Sequence, residues 1–207
     1  MAHLTPHAHG LFARQHGTAS VEQLLATGLS LREIRHLQRA GDLELVLRGA
    51  YRTPSAPVTE ASRSAAVCLA RADVVVAGPT AGRLWGLRRL PFDRRVHVLA
   101  PRASQPAAVR WVVPYRTDAQ HDRDVVDRGD GIRITSRART ALDLARWLDA
   151  DDLLSVIEQV VHDGRLTDDD LLAVAVDWLS PQRPWIRHFL RALDRRLPGG
   201  AAESHPE

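Results

Sequence analysis

Between residues 5 and 52 the apolar positions recur three and four apart and are cut at short intervals by glycine. Thr5-Pro6 pairs a helix N-cap with a first-turn proline, and Gly17 supplies a stop, so a helix with Leu11 and Phe12 facing inward is predicted. Ser20-x-x-Gln23 is a capping box at the head of Val21, Leu24 and Leu25, and Gly28 ends that short helix. Ser30-x-x-Glu33 opens a third helix, with Leu31, Ile34 and Leu37 as its apolar arc, which stops at Gly41. Leu43–Val46 and Ala50–Arg52 then read as two short strands around Leu47-Arg48-Gly49. Helix, tight Gly28-Leu29-Ser30 turn, helix and hairpin is the order of a winged helix-turn-helix.

Thr53-Pro54-Ser55-Ala56-Pro57 has the composition of a linker. After it the periodicities alternate. A helix runs from Thr59 through Cys68, Val74–Ala77 is a buried strand, and Pro79-Thr80 opens a short helix through Leu84 and Trp85 to Gly86. Val96–Leu99, Trp111–Val113 and Gly131–Ile134 are further strands, the last feeding a helix capped at Thr135 or Ser136 that runs to Leu148. From Asp151 the pattern is helical throughout. Leu153, Leu154, Ile157, Val160 and Val161 form a stripe ending at Gly164. Asp168, Asp169 and Asp170 follow Thr167 at the positive end of the next helix, which explains the acid cluster without a metal. Trp185, Ile186, Phe189, Leu190 and Leu193 make a last stripe, closed by Pro198-Gly199-Gly200, whose apolar face suits docking on the middle domain or on a second copy. The expected fold class is α+β. A winged helix-turn-helix occupies 1–53, a mixed α/β domain 58–150, a helical C-terminal segment 151–198 and a flexible tail 199–207.

Composition removes several classes of chemistry. All 28 basic residues of the 207 are arginine, and asparagine is also absent, as a GC-rich genome would favour. A chain without lysine forms no lysine Schiff base, completes no Gly-x-x-x-x-Gly-Lys phosphate loop and supplies no kinase lysine. The single Cys68, set among Ala65, Ala66 and Leu69, reads as a small buried hydrophobe and allows no internal disulfide. No apolar run approaches a membrane span of about 18 residues and no signal-peptide core opens the chain, so a cytoplasmic protein is expected. The net charge of +3 is uneven: residues 1–102 hold 14 arginines against 7 acids, and residues 103–207 hold 14 against 18. The first half therefore suits a polyanion.

The helical wheel of the third helix places that charge. Arg35, Arg39, Arg32 and His36 fall within a sector of about 100°, opposite Ile34 and Leu37. Guanidinium groups fork onto guanine or onto phosphate, so the stripe fits a DNA groove; by itself it fits a solvated basic face equally well. The hairpin that follows favours DNA. Arg48 at its tip is placed for backbone or minor groove, with Tyr51 packed beneath.

The run from Ala19 to Tyr51, with Gly28-Leu29-Ser30 and Arg48-Gly49-Ala50-Tyr51, resembles the N-terminal winged helix of the AbiEi family of type IV antitoxins. The same module opens actinobacterial proteins that carry a very-short-patch-repair-like endonuclease domain. Thr80–Leu87 is similar to the family's small-residue helix ending in Leu-Trp-Gly-Leu, and Ile134–Ala145 to its Thr-Ser-x-x-Arg-Thr-x-x-Asp segment. The resemblance spans roughly residues 10–165. It implies a sequence-specific DNA-binding autorepressor of a toxin–antitoxin operon, opposed to a nucleotidyltransferase-like toxin without stable complex formation. Double-stranded DNA of its own operator is the implied partner, and a homodimer is compatible with it. In that setting Arg32, Arg35, His36 and Arg39 face the major groove and Arg48 the backbone or minor groove. The alternative is the DNA-targeting portion of an endonuclease whose catalytic domain is missing. A helix-turn-helix serving protein contacts alone is a third reading.

No catalytic residue, metal site or cofactor is expected. Arg139 and Asp143 share a helical face and read as a pair tying that helix to the sheet, with no histidine spaced to activate Ser136 and no Gly-x-Ser-x-Gly elbow. His3, His7 and His9 lie in an N-terminus expected to fray. Asp118, Asp122, Asp124, Asp127 and Asp130 around His121 lack calcium-loop spacing and read as a solvated connection. Arg83, Arg88, Arg89, Arg94, Arg95 and Arg102 form a basic stretch that suits a DNA path, an acidic partner or plain solvent. Ala202–Glu207 resembles the lead-in to the endonuclease domain of the longer relatives, without the domain itself.

Overall fold

Each early helix starts on a side chain that closes its own first turn. In the computed structural model, which describes residues 3–104, 109–117, 121–162 and 164–196, Thr5 accepts from the Ala8 amide and opens α1, Pro6–Arg14. Ser20 and Gln23 form a complete capping box on α2, Val21–Ala26, and Ser30 and Glu33 another on α3, Leu31–Ala40. Gly41 ends α3 in a left-handed conformation. Ala8, Phe12, Leu24, Leu29, Ile34, Leu37 and Leu43 pack into one small core, with Leu11 and Tyr51 against it. Leu31 departs from the inward arc the wheel predicts, and Leu25 of α2 is exposed as well. Both lie on the outer side of short helices, and Leu31 is 48% exposed at the first position of α3.

The wing has one strand more than the sequence suggests. β2, Glu44–Leu47, and β3, Ala50–Arg52, form the expected hairpin around Arg48-Gly49, where Gly49 adopts φ +94°. β1, Thr18–Ser20, joins the far edge, pairing Ala19 with Tyr51. Three residues, all buried, show no alternation by which a strand is recognised.

The chain divides into two compact units interleaved along the sequence: Met1–Val76 with Arg94–Ile134, and Ala77–Asp93 with Thr135–Glu207. In the first, α4, Glu60–Ala70, begins at a Thr59–Ser62 capping box and packs against β1 and β3 on the winged module. It also meets β4, Val75–Val76, and β5, Val96–Pro101. These strands belong to a five-stranded sheet ordered β6-β5-β4-β8-β7, with β6 at Val112–Thr117, β7 at Val125–Asp127 and β8 at Arg133–Thr135. β4 runs antiparallel to β5 and parallel to β8, and β5 is parallel to β6.

The acidic stretch is therefore not wholly a solvated connection. Asp124 is buried in a single 3₁₀ turn and Val125–Asp127 forms an edge strand, while Asp130 accepts from His16 and Arg128, each at 2.9 Å. Asp118 lies outside the described residues.

In the second unit, α5, Gly78–Leu84, packs on α6, Arg137–Leu144, whose N-cap is Ser136 rather than Thr135. Thr135 instead shares a hydroxyl hydrogen bond of 2.7 Å with Thr140. α7, Ala150–His162, α8, Asp168–Asp177, and α9, Trp185–Arg196, complete a helical layer cored by Leu142, Leu153, Ile157, Leu171 and Phe189. Among the described residues no helix is long and apolar enough to cross a membrane. Pro198–Gly200 and the Ala202–Glu207 stretch lie outside the described residues.

Candidate nucleic-acid interface

α3 separates its faces cleanly. Ile34 and Leu37 are 1% exposed, whereas Arg32, Arg35, His36 and Arg39 are all exposed. Its only carboxylate is engaged elsewhere: Glu33 accepts from the Ser30 amide at 2.8 Å and the Ser30 hydroxyl at 2.7 Å. Those two hydrogen bonds, the amide first, hold the Glu33 carboxyl below its ordinary value of 4.5. Among the described residues Arg32, Arg35 and Arg39 have no ion-pair partner; Arg39 only donates from Nε to the Arg35 carbonyl at 3.3 Å.

The wing divides its arginines in two. Arg48 stands exposed at the tip beside Gly49. Arg52, opposite Glu44 in the register, forms an ion pair with it at 2.5 Å and donates to the Ala56 carbonyl at 2.9 Å. It thus braces the hairpin against the segment that follows. The five residues marked by sequence are therefore all displayed on α3 and the tip of the wing. Two neighbours escaped the sequence reading: Leu31 and Leu45, the latter 50% exposed, are apolar groups displayed on α3 and β2. The cap that makes Leu31 the first helical residue was the available signal, because a first-turn side chain has no preceding turn to lie on.

The other sequence candidates resolve locally. Arg139 and Asp143 pair at 3.0 Å and are both buried, but the guanidinium lies 3.7 Å from the ring centre of Trp178. The Arg139 side of the pair thus ties α6 to the end of α8. Burial pushes the Cys68 thiol up to about 11, and its Sγ meets the Arg133 carbonyl at 3.4 Å. His3 and His9 line an open cavity of about 870 Å³ with Phe12, Leu37 and Asp42. Among the described residues no three histidine, cysteine or acidic side chains come together to hold a metal ion.

Comparison with known proteins bears on this module. Residues 11–54 match a family model described as "Transcriptional regulator, AbiEi antitoxin". The N-terminal module belongs to the AbiEi antitoxin family. That segment runs from the last turn of α1 to β3 and holds every residue of the candidate interface. The whole chain also resembles in fold the RV2827C protein from Mycobacterium tuberculosis, with a TM-score of 0.56 and 18% identity over 96% of this chain and 80% of that one. No curated protein matches.

Proposed function

We propose that this chain is a DNA-binding transcriptional regulator of the AbiEi antitoxin type that represses its own operon in the cytoplasm. It works by binding rather than by catalysis. α3 lies in the major groove with Arg32, Arg35, His36 and Arg39 toward base edges and phosphates, and Arg48 reaches backbone or minor groove from the wing. Leu31 is placed for a thymine methyl group. The observation that carries this is the set of arginines on α3 exposed without carboxylate partners, within the segment that matches the family. A neighbouring nucleotidyltransferase-like toxin is the activity such an antitoxin would oppose.

The test is binding of the purified chain to the DNA upstream of its own gene against a scrambled duplex, at two salt concentrations. A preference of roughly 10³ or more for the upstream fragment is expected of a specific regulator. Equal, salt-sensitive binding to both would reduce the protein to a non-specific polycation. Binding to neither by the folded chain would overturn the proposal.

A further inference from the structure

Phe92 is 83% exposed, the highest value among the large apolar side chains described. The segment that carries it is pinned on both sides. From α5, Arg83 donates to the Pro91 carbonyl at 2.8 Å and to the Asp93 carbonyl at 3.2 Å, the carbonyls of the two residues that flank Phe92. Upstream, the Arg88 amide donates to Gln159 Oε1 at 2.8 Å, and Arg89 meets Asp152 at 3.4 Å. Arg89 also turns the chain at φ +59°, a conformation that a non-glycine residue adopts at a cost. The ring is thus presented by a braced loop, all of whose anchors lie in one unit.

The surroundings choose the partner. The core of a protein-binding patch is depleted in charge and gathers several apolar groups. Here Leu87 is buried and Leu90 faces the backbone of Gly82, where its Cδ1 leaves no room for a side chain. Pro91 and Phe92 are left outside, with exposed Arg88 and Arg89 as their neighbours. An exposed aromatic ring on a braced loop that also carries exposed arginines suits a base that has left its stack, with phosphates on either side. In an intact duplex that face of the base is covered.

We propose that the Arg88–Asp93 loop binds single-stranded nucleic acid, Phe92 stacking on an unpaired base while Arg88 and Arg89 contact flanking phosphates. This site is distinct from α3 and does not depend on the duplex-binding role proposed for it. Its test is fluorescence anisotropy of the full chain with labelled oligothymidylate, oligouridylate and a mixed-sequence duplex, each of about 20 units, longer than a typical single-strand site. Phe92→Ala should weaken binding of a single strand about 5- to 150-fold, the usual effect of losing one stacked base, and leave the duplex unchanged. Phe92→Trp should retain it, and Arg88→Ala should weaken it with a salt slope flatter by about 0.7. The thymidylate and uridylate arms tell DNA from RNA as the ligand. Single-strand binding that persists in Phe92→Ala, or falls equally with duplex binding, overturns the proposal. So does failure of the wild-type chain to bind either single strand, which would leave the loop to a protein partner. Loss of duplex binding in Arg35→Ala/Arg39→Ala, with oligothymidylate binding intact, separates this site from the one on α3.

Discussion

A Cβ placed on Gly17 would fall 2.1 Å from the Cβ of Ala56. The backbone there is also left-handed, at φ +76°, and the Gly17 carbonyl accepts from the Thr53 amide at 3.1 Å. The segment after the wing is therefore laid directly on the turn that ends α1. Gly17→Ala should lose stability twice, by about 1–2 kcal/mol for the backbone conformation and by about 1–3 kcal/mol for the overlap. Adding Ala56→Gly should restore the second part only. Urea denaturation of the two single variants and the double variant measures both; additive losses would mean the two residues do not meet.

The capping box of α3 predicts an acid limb for the N-terminal module. The folded-state pKa of Glu33 lies below 4.5, so its contribution is fully present above that value and disappears as pH falls through the lower, folded-state value. Glu33→Gln keeps an acceptor for the cap without the titration. Thermal unfolding from pH 6 to pH 3 should fall less steeply in that variant than in the wild type. Parallel curves would show that Glu33 is not a source of the acid sensitivity.

Removing one side of the Arg139–Asp143 pair should be costly. The two groups are 3.0 Å apart and buried, and breaking such a pair from one side costs about 3–5 kcal/mol. Arg139→Ala should sit in that range by denaturant midpoint, and Arg139→Met with Asp143→Leu should recover much of it. A loss below about 1 kcal/mol for Arg139→Ala would mean that the stack on Trp178 and the ion pair contribute little.

Arg35 and Arg48 should separate in a salt titration with upstream DNA. If Arg35 contacts a base edge, Arg35→Ala costs about 1–3 kcal/mol on the specific site and relaxes discrimination there. Arg48→Ala, removing a phosphate contact, should weaken all duplexes alike and flatten the salt slope by about one unit. Identical profiles for the two variants would contradict this division of roles.

Cys68 should resist thiol reagents at neutral pH. With a pKa of about 11 and a buried side chain, almost none of it is thiolate and little of it is accessible. Labelling by an aromatic disulfide should be slow in the native chain and fast in denaturant. Fast native labelling would require local opening of α4.

The helix starts were readable because they are local. Thr5, Ser20, Ser30, Thr59 and Thr167 each bond an amide within the next three residues, and that geometry is written in the spacing. β1 and β7 were not readable, since neither Thr18–Ser20, buried throughout, nor Val125–Asp127 alternates buried and exposed positions as a half-buried strand does. The exposure of Arg32, Arg35, His36 and Arg39 followed from the wheel, whereas the engagement of Arg52 by Glu44 needed the strand register. The wheel erred at Leu31 because periodicity assigns a face without knowing whether anything covers it. Phe92 was invisible for the same reason: sequence shows an apolar residue among arginines, and only the fold shows that it stands exposed among the described residues.

The interleaving of the two units sets an order of events during synthesis. Val76 on β4 cannot find Ile134 on β8 until the ribosome has made the whole of the first excursion, Ala77–Asp93, and then β5, β6 and β7. The core of the winged module and the pairing of its three strands, by contrast, lie entirely within residues 4–52. Non-local pairing is slow, and domains mature as units from the N-terminal end. The nascent chain therefore carries a finished α3 while the central sheet is still an unclosed edge, and a ribosome stalled between β4 and β8 would display one without the other.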